Sequence, residues 1–132
     1  LGARGVQVGT RFLCANECQV HPNYKKKILA ARDIDTVVTG KRLGHPVRCL
    51  KNPFARSFGQ MEYDSTITNE EIEAFGAGSL RKAAVEGDME NGSIMAGQIA
   101  ALVKEEQPAA QIIREMFAQA EQLLAEAAKW VR

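Results

Sequence analysis

Gln7-Val8-Gly9-Thr10 is the stretch whose residue types most suggest chemistry. Branched residues at Val6 and Val8 followed by Gly-Thr predict a short buried strand, Gly5 to Val8, that ends in a turn. Gly9 permits close backbone approach and Thr10 adds a hydroxyl donor, so bare N–H groups at this turn suit a phosphate. In (β/α)8 barrels the turns after the last strands commonly play this part. A strand ending in Gly-Thr is equally an ordinary turn, and spacing alone leaves both readings open. A second stretch, Gly92-Ser93-Ile94-Met95-Ala96-Gly97-Gln98, predicts a capped helix from Ile94 to Lys104. Ser93 at its head offers a hydroxyl and free N–H groups, while Gly97 admits close packing against another helix or another surface.

Other polar groups support less. Cys14, Cys18 and His21 put three candidate metal ligands on one helical face, but structural zinc takes four ligands and no nearby Cys or His completes the set. Asp88, Glu90 and Asn91 lack the spacing and closing glutamate of a calcium loop and read as a turn. His45, in Gly44-His45-Pro46, reads as a cap or turn residue and not as a general acid, and His21 before Pro22 as a helix-entry residue. Lys25, Lys26, Lys27, Arg42, Arg48, Lys51 and Arg56 gather in the first half, whereas acidic residues accumulate from Glu62 onward. Such a run is either a solvated face or a patch that steers an acidic partner.

The elements that would position these residues are legible in turn. Pro22 precedes a predicted helix from Asn23 to Ala31. Asp35 to Thr39 is β-branched and Pro46 to Lys51 alternates apolar with basic residues, which predicts a small antiparallel pair across Gly40 and Gly44. Asn52-Pro53 starts a helix with Phe54, Phe58 and Met61 at i, i+4 and i+7, and Thr68 with Glu71 forms a capping box for the next. Ser79 to Val85 is a short helix closed by Glu86-Gly87-Asp88. Pro108 opens a final helix through Trp130, whose stripe of Ile112, Ile113, Met116, Phe117, Ala120, Leu123, Leu124 and Ala127 requires a cover. The expected organisation is residues 1–20 as strand and phosphate turn, 21–51 as helix and β-ribbon, and 52–132 as a helical cap.

Composition narrows the partners. Of 132 residues 45% are hydrophobic and 25% charged, enough for one core, and the net charge of +1 gives no field to hold nucleic acid. No run approaches the roughly 18 apolar residues of a membrane helix. Three loosely spaced cysteines do not make a disulfide scaffold, so a reducing, cytoplasmic setting is expected. The start at Leu1-Gly2-Ala3, without an initiator Met and with a strand so near, predicts a truncated polypeptide whose other strands come from upstream or from another chain.

Gly5-Val6-Gln7-Val8-Gly9-Thr10-Arg11-Phe12, His21-Pro22-Asn23-Tyr24-Lys25 and Ala31-Arg32-Asp33-Ile34-Asp35-Thr36 together closely resemble the flavin-dependent enoyl-acyl-carrier-protein reductase II family. Gly44-His45-Pro46-Val47-Arg48, Asn52, Phe75-Gly76-Ala77-Gly78-Ser79-Leu80 and the Gly92 to Ala100 stretch extend the likeness over nearly the whole chain. The Gln-Val-Gly-Thr and Met-Ala-Gly-Gln segments are shared with the wider nitronate monooxygenase class; the Asn-Tyr-Lys and Ala-Arg-Asp-Ile-Asp-Thr segments resemble the reductase specifically.

The resemblance implies the C-terminal piece of an α/β parent, an FMN-binding (β/α)8 barrel, this piece being mainly α with one barrel strand and a small β-ribbon. It implies FMN with its phosphate on Gln7, Val8, Gly9 and Thr10, approached from the cap by Ser93, Met95, Gly97 and Gln98. NADH or NADPH would reduce the flavin, hydride would pass to the β-carbon of a trans-2-enoyl thioester on acyl carrier protein, and an acid would protonate the α-carbon. The histidine implied for that proton transfer belongs to a Gly-Gly-His segment absent from these residues, so no catalytic residue is assigned and the 132 residues alone are expected to be inactive. A nitronate monooxygenase using the same flavin site, and a non-catalytic helical fragment, are the other readings. The final stripe would cover the barrel or pair two copies in a homodimer.

Overall fold

The computed structural model describes residues 2–130. Helix α1 (Thr10–Leu13) and helix α2 (Pro22–Leu29) lead into strands β1 (Thr36–Thr39) and β2 (Val47–Leu50). Helices α3 (Pro53–Tyr63), α4 (Asn69–Gly76) and α5 (Ser79–Ala84) follow, then a 3-10 turn at Gln98–Leu102, and α6 (Ala109–Glu126) with a 3-10 continuation at Ala127–Trp130. The described residues are thus mainly helical around a two-stranded antiparallel ribbon that pairs Thr36 with Leu50 and Thr39 with Val47. No helix among them is long and apolar enough to cross a membrane.

Local signals account for most of these elements. His21 accepts from the Asn23 N–H at 3.1 Å and Pro22 occupies the first turn, so α2 starts where the missing proline N–H costs nothing. Asn52 does the same for α3, accepting from Ala55 N–H at 2.8 Å, while its amide donates to the carbonyls of Met89 and Gly92 and ties the helix to a distant loop. The Thr68–Glu71 capping box of α4 forms with both of its bonds. Pro108 gives α6 no side-chain cap, and the carboxylate of Glu17 accepts from Ala109 N–H instead, at 2.9 Å.

Two expectations fail. Gly5 to Val8 forms no strand: the segment is irregular and Val6 is 87% exposed, because no other strand among the described residues offers it a ladder. The helix expected from Ile94 to Lys104 is an extended stretch followed by the short 3-10 turn. Ile94 accepts from Leu50 N–H at 2.8 Å and Ala96 donates to the Arg48 carbonyl at 3.1 Å, so the stretch docks on the otherwise bare edge of β2. Unpaired strand groups create a demand that outweighs a weak helical pattern carrying Gly92 and Gly97.

The main core joins all three sequence segments: Cys14, Tyr24, Ile28, Leu50, Ala83, Ile94, Ala96, Ala100 and Val103 pack together. A smaller core of Phe54, Phe58 and Ile72 lies between α3 and α4, with Phe75 stacked on Phe54 at 5.2 Å. Lys25 is buried among these elements, where its ammonium donates to the Ala15 carbonyl at 2.7 Å and pairs with Glu106 at 3.1 Å. The α6 stripe buries Ile112, while Phe117 is 67% and Leu124 75% exposed.

Two measurements check this construction. Thr68→Ala removes the cap oxygen of α4 and should cost about 1 kcal/mol in a denaturant titration, with the m-value unchanged. Tyr24 is 2% exposed, and burial pushes its phenol from the ordinary value of 10.0 up to about 12. The unfolded chain therefore ionises first, so this contribution is intact below pH 10 and is lost as pH rises toward 12, by at most about 3 kcal/mol. Tyr24→Phe should make the alkaline loss of stability shallower by that amount.

Candidate functional site

Thr10 begins α1 with Gly9 as its N-cap, and no side chain caps that helix. A helix start leaves its first N–H groups without intrahelical partners, and Thr10 and Arg11 hold the first two positions of α1. Gly9 has an ordinary negative φ of −104°, and a side chain there would meet no atom within 4 Å among the described residues. Nothing in the fold of the described residues demands a glycine at this turn, which leaves its backbone open to close approach.

Opposite the turn runs the extended stretch Ile94–Gly97. Gly97 N–H donates to the Thr10 hydroxyl oxygen at 2.8 Å, across 87 residues of sequence. Beside this contact lies a shallow, open cleft of about 460 Å³, walled by Leu13, Val47, Met95 and Ala96 with Arg48 at its side. The Arg48 guanidinium is turned toward β1, donating to the Thr36 hydroxyl at 3.0 Å. Arg11 is likewise engaged away from the turn, donating to the Glu105 carbonyl and to the Gln107 side chain. The arrangement sets the first turn of α1 and the Thr10 hydroxyl beside a shallow, largely apolar surface. That chemistry fits a flat aromatic group carrying a phosphate, with backbone N–H groups and no free cation as the anion's donors.

Of the eight residues expected to bind a cofactor, Gly9, Thr10, Met95 and Gly97 meet at this cleft. Gln7 is exposed on the irregular lead-in, and Val8 lines a separate groove with Val6, Phe12, Ile113, Met116 and Phe117. Gln98 is exposed at the start of the 3-10 turn. Ser93 heads no helix: it is 5% exposed, donates its N–H to the Ser79 carbonyl at 3.0 Å, and faces a second cavity of 280 Å³ beside Phe54, Phe58 and His45. Val47 and Met95 wall both cavities, so the two adjoin.

Tyr24 and Val47 are contributions that sequence reasoning missed. Tyr24 lies on α2 four residues before Ile28, and its hydroxyl donates to the Met95 carbonyl at 2.7 Å, which no local spacing foretells. Burial pushes the Cys49 and Cys14 thiols above their ordinary values, and Glu106 raises Cys14 further. His21 caps α2 and His45 sits in the turn between the strands, its N–H donating to the Gly40 carbonyl at 3.0 Å. Among the described residues no group of three His, Cys, Asp or Glu side chains is placed to hold a metal ion.

Known proteins resemble this chain in sequence and fold. A family model described as nitronate monooxygenase matches residues 1–119. A probable nitronate monooxygenase of Staphylococcus saprophyticus is 37% identical over 105 residues, which are 79% of this chain and 29% of that protein. One from Bacillus subtilis is 30% identical over 123 residues, covering 88% of this chain and 33% of its own length. The solved structure of FabK from Thermotoga maritima covers 98% of this chain and 41% of its own, with a TM-score of 0.90 and 45% identity. Nitroalkane oxidase from Streptomyces ansochromogenes covers 99% of this chain and 35% of its own, with a TM-score of 0.71 and 26% identity. The chain therefore spans 29% to 41% of the length of these relatives. With 119 of its 132 residues matched, the chain belongs to the nitronate monooxygenase family.

Proposed function

We propose that this chain forms the flavin-phosphate end and the cap of a longer (β/α)8-barrel enzyme that reduces trans-2-enoyl-acyl carrier protein with NADH or NADPH in the cytoplasm. The observation that carries the reading is the likeness to FabK, the enoyl-acyl-carrier-protein reductase II, at 45% identity over 98% of the chain, against 26% for the nitroalkane oxidase. The Asn23-Tyr24-Lys25 and Ala31 to Thr36 segments resemble that reductase rather than the wider family.

The residues present fit flavin mononucleotide. Gly9 and the N–H groups of Thr10 and Arg11 would hold the phosphate, and Leu13, Val47, Met95 and Ala96 would exclude water along the cleft. FMN, when bound, supplies the hydride carrier between nicotinamide and enoyl thioester. No residue in this chain is assigned the proton transfer to the α-carbon. Oxidation of alkyl nitronates at the same cleft is the second reading, and the names of the curated relatives favour it.

The full-length polypeptide should bind FMN and consume NADH or NADPH with an enoyl thioester. Its kcat/KM should exceed that for an alkyl nitronate by at least about tenfold, or ~1.4 kcal/mol in barrier. Oxygen uptake with nitronate and no turnover of the thioester would reverse the assignment. Carrier protein would dock through exposed Lys26 and Lys27, since Lys25 is buried in its ion pair. Reversing both exposed charges should raise KM for the carrier-linked substrate about tenfold at low salt and leave the coenzyme A analogue unaffected; equal effects on both substrates would remove the docking role.

A further inference from the structure

The stretch Ile94–Gly97 has two edges, and different elements hold them. Ile94 and Ala96 bond to β2 on one side. Because N–H and C=O groups alternate in direction along an extended chain, Met95 and Gly97 present theirs on the other side, about 6.6 Å apart. Two hydroxyls meet that outer edge: Tyr24 from α2 donates to the Met95 carbonyl at 2.7 Å, and Thr10 from α1 accepts from Gly97 N–H at 2.8 Å. A hydroxyl has one proton to give. An oxygen that accepts from Gly97 still has its own proton to donate, so the Thr10 hydroxyl is able to serve an anionic acceptor in the cleft. The contact is close enough that a Cβ on Gly97 would lie 3.3 Å from the Thr10 oxygen, so small shifts of the edge are felt at the turn.

We propose that Tyr24 is a positioning residue for the anion-binding turn: its hydroxyl sets the outer edge of Ile94–Gly97 so that Gly97 N–H meets Thr10, and thereby aims the Thr10 proton into the cleft. The inference rests on the flavin-phosphate reading of that cleft. Tyr24 touches no ligand in this role. Its ring fills the core whether or not it carries oxygen, and the oxygen is what reaches Met95.

The test uses the full-length polypeptide with FMN as the probe and a double-mutant cycle over Tyr24→Phe and Thr10→Val, read as the FMN dissociation constant by fluorescence quenching. Each single change should weaken binding about five- to tenfold, and the double variant should be no weaker than Thr10→Val alone, because Tyr24 acts through Thr10. Thr10→Ser, which restores the hydroxyl, should bring back both the affinity and its sensitivity to Tyr24→Phe. A second readout needs no flavin: amide exchange of the peptide containing Gly97 should quicken in Tyr24→Phe and in Thr10→Val, with exchange in α4 unchanged. Additive losses of affinity, or Tyr24→Phe with wild-type affinity, would overturn action through Thr10. Unaltered exchange at Gly97 would overturn the positioning itself. A wild-type protein that takes up no FMN would overturn the cofactor reading, and Gly97 exchange would then still decide for or against the control that Tyr24 exerts on this edge.

Discussion

The outer edge of β2 governs the rest of the molecule. A two-stranded ribbon leaves a row of N–H and C=O groups unpaired on each side, and within a folded core such groups must find partners. Leu50 N–H and the Arg48 carbonyl find theirs at Ile94 and Ala96. That docking drives Ile94 and Ala96 inward to complete the core with Tyr24, Ile28 and Val103, and it leaves the Met95 and Gly97 backbone groups facing α2 and α1. The cleft at Gly9 and Thr10 exists because this strand forms its far wall.

Long-range polar bonds then hold the N-terminal turn in place. The segment after α1 is clamped to the approach to α6: Asn16 N–H donates to the Gln107 carbonyl at 2.9 Å, Glu17 caps α6, and buried Lys25 bridges Ala15 to Glu106. A buried ammonium is costly unless fully partnered, so Lys25 specifies one arrangement of three segments more than it adds net stability. The same economy thins the basic patch suggested by composition. Lys25, Arg42, Arg48 and Lys51 all spend their donors within the fold, Arg42 on the carbonyls of Asp64 and Ile67 among others.

Two adjoining cavities share Val47 and Met95 as walls: one takes in the start of α1 at Gly9 and Thr10, while the other is walled by Leu43, Phe54 and Phe58 and is mainly apolar. The apolar face of α6 lies apart from both, in a groove shared with Val6, Val8 and Phe12.

Sequence alone determined what local physics controls. The starts of α2, α3 and α4 follow from His21-Pro22, Asn52-Pro53 and Thr68 with Glu71, since a cap or a first-turn proline acts within three residues. The antiparallel ribbon followed from β-branched alternation around Gly40 and Gly44, and the segments that carry the family likeness were legible as well. Tertiary structure alone decided the state of Ile94–Gly97, the separation of Ser93 from the cleft, the burial of Lys25 and the approach of Tyr24 to Met95. Each depends on a partner 10 to 87 residues away in the chain, with the pairs Lys25–Ala15 and Thr10–Gly97 at the extremes and Tyr24–Met95 at 71 between them. Periodicity and capping report only on a residue's near neighbours, whereas a bare strand edge is satisfied by whatever backbone the completed fold brings beside it.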